Sequence, residues 1–344
     1  MAAASSSSGA YTTSDGADGA DGTDGVDGVE DGGPWPASRI LYITNRKRKE
    51  GESRFRAIAH SCTGVTHFGL ASAGEDAPEI MFEDEFVDEL LARTSNNQIV
   101  VLFVHGYNTS FVKAVRSASL LQAKMGADNA CVVLFSWPSL GPRAQASLPP
   151  PDPDEESSLF SLGKAKKMWD NVSARARYWG DTDRAAASTS AFRQALVLLT
   201  GLLGAERVHV LAHSRGCYLV YKAMKRGHVV PFGRLATAHG DVEEGKFFSE
   251  KSMDRIKRNT YRPYREAGYL LNMFNPNDAA LAVSYGLRAG VMGPRIGQKP
   301  CPARPGLVSV LYDPIVAGRS SYYHSGYKLS PYTERILDFF LTGE

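Results

Sequence analysis

The chain has 344 residues, 43% of them apolar, and its 39 basic and 37 acidic side chains leave a net charge of only +2, enough core for one large α/β domain and too little positive charge for a nucleic-acid partner. The four cysteines, Cys62, Cys131, Cys217 and Cys301, are far apart in sequence, which excludes the close pairs of small disulfide frameworks or zinc sites. No apolar run approaches the ~20 residues that span a bilayer, and no basic segment followed by an apolar core opens the chain, so a cytoplasmic location without a transmembrane segment is expected.

Residues 1–36 are Ala/Ser-rich and then repeat Asp-Gly-x; they carry too little apolar surface to offset their ordering entropy and are expected to form a disordered tail. The folded domain is expected over 37–344, opening with the strand Ile40–Ile43. The run Arg46-Lys47-Arg48-Lys49 that follows reads as a solvated turn. Ile99–Val104 is apolar at every position, as a strand buried on both faces of a parallel sheet must be. A polar turn, His105-Gly106-Tyr107-Asn108-Thr109-Ser110, then leads into apolar positions Phe111, Val115, Ala118, Leu121 and Met125, with Gly126 behind them; that spacing predicts a helix with a stop signal. Cys131–Phe135 is the next predicted strand. The segment from Leu140 to Ala187 loses all periodicity and includes a proline-rich acidic stretch; an excursion this long inside a compact domain is expected to be a lid or cap. Periodicity returns with Phe192, Ala195, Leu196, Leu199 and Leu203, a helix ending at Gly204. Further strands are predicted at Arg234–Ala238, Tyr269–Phe274 and Leu307–Tyr312, and a closing helix follows Ser330-Pro331.

The chemistry is concentrated in Ala212-His213-Ser214-Arg215-Gly216, which ends an apolar β-branched run and leads into a helix. A serine on so sharp a strand-to-helix turn needs small residues two positions before and after it, and Ala212 and Gly216 meet that need; this is the pattern of a nucleophile elbow. A serine hydroxyl is a weak nucleophile at neutral pH and requires a histidine base, itself oriented by a carboxylate. In the chain order serine, acid, histidine, only His228, His239 and His324 follow Ser214. His324 is the base expected, because it alone sits in a loop before the closing helix. Asp278, in the turn after the second strand beyond the elbow, is the acid expected, with Asp241 as the alternative. Backbone amides of Arg215 and of Tyr107 or Asn108 are expected to form an oxyanion hole, with Gly106 giving the backbone close access. His105 is either a substrate-side group or a structural histidine bonding its local backbone. Trp137 is either part of the acyl pocket or core filling, and His213 is expected to pack beneath the elbow.

These residues resemble those of a family of largely uncharacterised bacterial α/β-hydrolase-like proteins. The resemblance rests on Ile43-Thr44-Asn45-Arg46, Phe103–Asn108, Leu134–Ser139, Leu211–Gly216, Asn277–Leu281 and His324-Ser325, and spans about 39–342. It implies the α/β-hydrolase fold, a mostly parallel central sheet flanked by helices with a lid or cap insertion, and Ser214, Asp278 and His324 as triad. The expected function is a serine hydrolase that cleaves carboxylic esters through an acyl-enzyme, with a small acyl ester as partner and no metal or organic cofactor required. A catalytically silent fold used for binding, an acyltransferase and an interfacial lipase are the alternatives.

Overall fold

The computed structural model describes residues 39–46, 66–73, 78–94, 97–139, 178–278, 280–282, 284, 293–312 and 324–344. The tail 1–36 and the insertion up to residue 177 lie outside them. So does Cys62.

Nine strands form one sheet: β1 (Ile40–Thr44), β2 (His67–Ala71), β3 (Glu79–Met81), β4 (Ile99–Val104), β5 (Ala130–Ser136), β6 (Val208–His213), β7 (Leu235–Ala238), β8 (Leu270–Phe274) and β9 (Leu307–Leu311), in the spatial order β3-β2-β1-β5-β4-β6-β7-β8-β9. Every pairing from β1 through to β9 is parallel; β2 and β3 add an antiparallel edge. The predicted strands are present to within a residue or two. The antiparallel edge was not legible. β2 lacks a β-branched run and contains Gly69, where a side chain would collide with the Glu79 carbonyl and the Tyr42 ring of its neighbours; such a strand presents little propensity signal.

Strict alternation along the central strands builds a core on each face of the sheet. Leu102 and Val104 of β4, Val133 and Phe135 of β5, and Val210 and Ala212 of β6 face one way. They meet α4 (Thr189–Leu203), α5 (Arg215–Lys225) and α7 (Glu250–Asn259) through Leu196, Leu199, Leu219 and Ile256. Val101, Phe103, Val132, Leu134 and Leu211 face the other way, against α2 (Phe111–Met125) and the closing helix α8 (Ser330–Thr342). Two short helices complete this frame near the edges, α1 (Glu83–Arg93) and α6 (Glu244–Phe247). Each fully buried leucine or phenylalanine in these layers contributes about 1.5–3 kcal/mol of hydrophobic stabilisation. Helix α2 has the predicted bounds, with Ser110 capping by accepting from the Lys113 amide at 3.2 Å. At α8 the residue before the helix is Leu329, not Ser330, and Pro331 lies in the first turn.

The end of the long insertion is helical. Tyr178–Ala187, here α3, runs into α4 with a 43° bend. No single described helix is long and apolar enough to cross a membrane; the bent pair α3–α4 passes on length and composition, and the apolar face of α4 is spent on the core.

Candidate active site

Ser214 follows β6 with φ 50° and ψ −116°, a conformation L-residues avoid and one that costs about 1–3 kcal/mol unless its surroundings impose it. They do so from both sides. The Ser214 amide donates to the Ala238 carbonyl at 2.9 Å, and its carbonyl accepts from the amides of Asp241 at 3.0 Å and Cys217 at 3.1 Å. The small-residue requirement has a geometric cause as well. A β-carbon on Gly216 would lie 2.5 Å from the Val104 carbonyl oxygen and 2.6 Å from that of His105, and one on Gly106 would lie 2.9 Å from Ser214 Cβ. The elbow therefore presses directly against the end of β4, where the polar turn begins.

The turn itself is held from below. The His105 ring stacks on Trp137 at 5.3 Å and 7°. Trp137 Nε1 donates to the His105 carbonyl at 2.8 Å, and His105 Nδ1 donates to the Gly106 carbonyl at 3.0 Å. Both side chains are buried and support the turn, in line with the structural alternative of the two readings given for each. Burial first, and the Arg46 charge second, lower the His105 pKa to about 3, so the ring is neutral. Arg46 corrects an expectation. It is fully buried, not solvated, because its guanidinium finds acceptors on three sides: Ser136 Oγ at 2.8 Å, the Thr109 carbonyl at 2.8 Å and His105 Nε2 at 3.3 Å. Asn108, at φ 50°, uses its amide in a long 3.4 Å bond to Asp181 Oδ2. The Arg215 amide lies in the first turn of α5, where a helix leaves its donors without intrahelical partners.

The fold brings Asp278 and His324 together. His324 Nδ1 lies 2.6 Å from Asp278 Oδ2, with the acid fully buried and the histidine 8% exposed. Burial pushes the Asp278 carboxyl up, but the charge of His324 and hydrogen bonds from His239 and His324 outweigh it, and the group stays ionised well below the ordinary carboxylate range. His213 packs against His324, with rings 4.9 Å apart, and its Nε2 donates to the His324 carbonyl at 3.1 Å. It thus holds the histidine loop as well as the elbow. Among the described residues the hydrogen bonds of Ser214 run through its backbone. The nucleophile–base contact is one that often tightens only in the substrate complex.

Asp241 has a different environment. Its Oδ2 lies 3.2 Å from Arg215 Nη1 and accepts from Tyr178 Oη at 2.8 Å, while Oδ1 lies 3.2 Å from Arg295 Nε and accepts from Ser284 Oγ at 2.7 Å. Burial raises its pKa, yet Arg215 and Arg295 carry it below the usual value. The carboxylate is committed to two guanidiniums, which separates it from the histidine cluster. Arg215 is clamped in turn between the Tyr178 and Tyr218 rings, each 4.4 Å from Cζ.

His239, Asp278 and His324 also form the group most like a metal site among the described residues, with ligand atoms within 4.8 Å of one another. Two ligands at 2.0–2.1 Å from a tetrahedral zinc would stand about 3.3 Å apart. The observed separations of 2.6 and 3.0 Å are those of hydrogen bonds and shorter than that spacing. The described cysteines are unpaired. Burial pushes the Cys131 thiol up to about 11 and the Cys217 thiol higher still, so Cys217, three residues past Ser214, behaves as an apolar filler.

A parallel sheet with a strained serine between its central strand and a helix, and a buried Asp–His pair beyond two later strands, defines an α/β hydrolase. Residues 81–305 match the family described as alpha/beta hydrolase of unknown function (DUF900), and the chain belongs to that family. The matched span holds Ser214, Asp241 and Asp278; His324 lies beyond it. Comparison with curated proteins gives no match.

Proposed function

We propose that this hydrolase cleaves carboxylic esters through an acyl-enzyme on Ser214, with His324 as base and Asp278 as the acid that orients it. The observation carrying this reading is the 2.6 Å pairing of His324 Nδ1 with Asp278, combined with the imposed φ of Ser214. With Nδ1–H donated to the carboxylate, Nε2 bears the lone pair needed to accept the serine proton. The alkoxide attacks the ester carbonyl, the amides of Arg215 and of Tyr107 or Asn108 receive the developing oxyanion, and His324 returns its proton to the leaving alcohol. Water then attacks the acyl-enzyme with the same histidine as base. The unpaired thiols of Cys131, Cys217 and Cys301 favour a reducing compartment such as the cytoplasm.

The test is covalent labelling by a fluorophosphonate probe, read by intact mass, on the native chain and on Ser214→Ala and His324→Ala. Labelling of the native chain that disappears in both variants supports the reading, and p-nitrophenyl esters of graded length then define the acyl specificity. A folded native chain that remains unlabelled overturns it and turns attention to a binding role on the same fold.

A further inference from the structure

The carboxylate of Asp278 serves two histidines. Besides His324, His239 points Nδ1 at the same Oδ2 from 3.0 Å, while Oδ1 accepts the Leu281 amide at 3.0 Å. His239 is fully buried and follows β7 in a left-handed conformation, φ 48°, uncommon for a residue with a side chain. Three constraints impose it here. The His239 amide donates to the Met273 carbonyl at 3.0 Å. The His239 backbone lies where a side chain on Gly297 would otherwise fit, and the Gly297 amide donates to the Gly240 carbonyl at 3.0 Å. The ring is surrounded by His213 of β6 at 6.4 Å, His324 at 5.5 Å and Tyr312 after β9 at 5.4 Å, with Asp278 at its Nδ1. The left-handed turn is thus held at a position from which the imidazole reaches the acid from the end of β7.

We infer that His239 is a positioning residue of the hydrolase, a second N–H donor that shares Asp278 Oδ2 with His324 and so fixes the carboxylate and tempers its pull on the base. The inference rests on the reading of Ser214, Asp278 and His324 given above. A carboxylate that already accepts from His239 and Leu281 divides its charge among three donors, and each of them stabilises the ionised form. Without the His239 donor, Asp278 gains freedom to turn about χ2 and interacts more strongly with the His324 imidazolium. The two effects have separate signatures, a slower reaction at the plateau and a base that holds its proton to higher pH.

The experiment compares His239→Gly with His239→Asn. Glycine adopts φ 48° without strain and removes the donor. Asparagine also tolerates the left-handed region, and its Nδ2, bonded to Cγ like the imidazole Nδ1, restores an N–H in the same direction. The rate of fluorophosphonate labelling is followed between pH 5 and 9, and the low-field proton NMR signal of the His324–Asp278 hydrogen bond is titrated alongside. For His239→Gly we expect about a tenfold lower plateau rate and an acid limb displaced upward by about half a pH unit, with His239→Asn recovering most of both. Two results overturn the inference: native rate and limb in His239→Gly, or equal damage in both variants, which would make the imidazole a packing element only. If the native chain fails to label, the hydrolase reading falls, but a His324 titration displaced in His239→Gly and restored in His239→Asn still upholds the shared-carboxylate role.

Discussion

Substituting Gly216 by alanine probes how the elbow is locked to the sheet. The residue lies in the first turn of α5, where alanine would ordinarily be the better helix former by about 1 kcal/mol. Here the new methyl would stand 2.5 Å from the carbonyl oxygen of Val104, the last residue of β4, and 2.6 Å from that of His105 just beyond it, against the roughly 3.4 Å at which ordinary contact begins. The first oxygen is fixed at the end of a central strand and the second by the Trp137 indole, so the helix must retreat by about 0.9 Å to relieve the overlap. Overpacking of this kind costs about 1–3 kcal/mol. The retreat also carries Ser214 away from the turn at Gly106–Asn108, and a misplacement near 1 Å costs about a hundredfold in rate. Urea unfolding and fluorophosphonate labelling read the two consequences separately. Gly201→Ala is the control, because that exposed position within α4 has open space around the missing methyl, and the same change there should raise stability by about 0.5–1 kcal/mol. Native stability and labelling in Gly216→Ala, or a loss in Gly201→Ala, would refute the reasoning.

Two further outcomes separate the acids and set the response to pH. Asp241→Asn leaves Arg215 and Arg295 facing a neutral amide and should cost about 3–5 kcal/mol in urea unfolding, whereas Asp278→Asn should cost about 10³–10⁴-fold in labelling rate with the smaller loss of stability; the opposite ranking would reverse the assignment of the acid. His105 and His209 are both buried with pKa lowered to about 3, so below about pH 6.5 the unfolded chain binds protons that the native one refuses. Stability should therefore fall from pH 6.5 towards 3 by about 1.4 kcal/mol per pH unit for each of them, and Asp278, whose pKa is depressed, should add its own loss only below the unfolded carboxylate range. A urea midpoint that stays flat between pH 6.5 and 4 would contradict this.

What could be read from the sequence was what short-range pattern encodes. The β4–α2–β5 unit announced itself through an apolar run, a capping serine and a terminal glycine, and Ser214 through its small neighbours. Asp278 and His324 were singled out from chain order, since their 2.6 Å pairing spans parts of the chain no local pattern connects. Arg46 and His239 were missed for the same physical reason. Arg46 looks like the head of a basic surface run until Ser136, Thr109 and His105 are brought around it, and His239 stood only as one of three histidines after Ser214 until the fold set it beside Asp278. His105 and Trp137 are residue types at home in both pockets and cores, and only the stacking of one on the other separates the cases.

The hydroxyl of Ser139, the last described residue before the insertion, donates to Asp181 of α3 at 2.5 Å, so the point of departure and the point of return are stitched together. Tyr178 beside it bonds Asp241 and Arg215. The chain therefore departs at residue 139 and returns at residue 178 through a neck closed by side-chain bonds, and changing the length of chain between them carries an entropic cost that grows only logarithmically. Natural drift or laboratory grafting can exchange that segment and leave the elbow, the acid and the base where they are. Length and sequence there are thereby uncoupled from the geometry of the catalytic cluster, one free to drift while the other is retained.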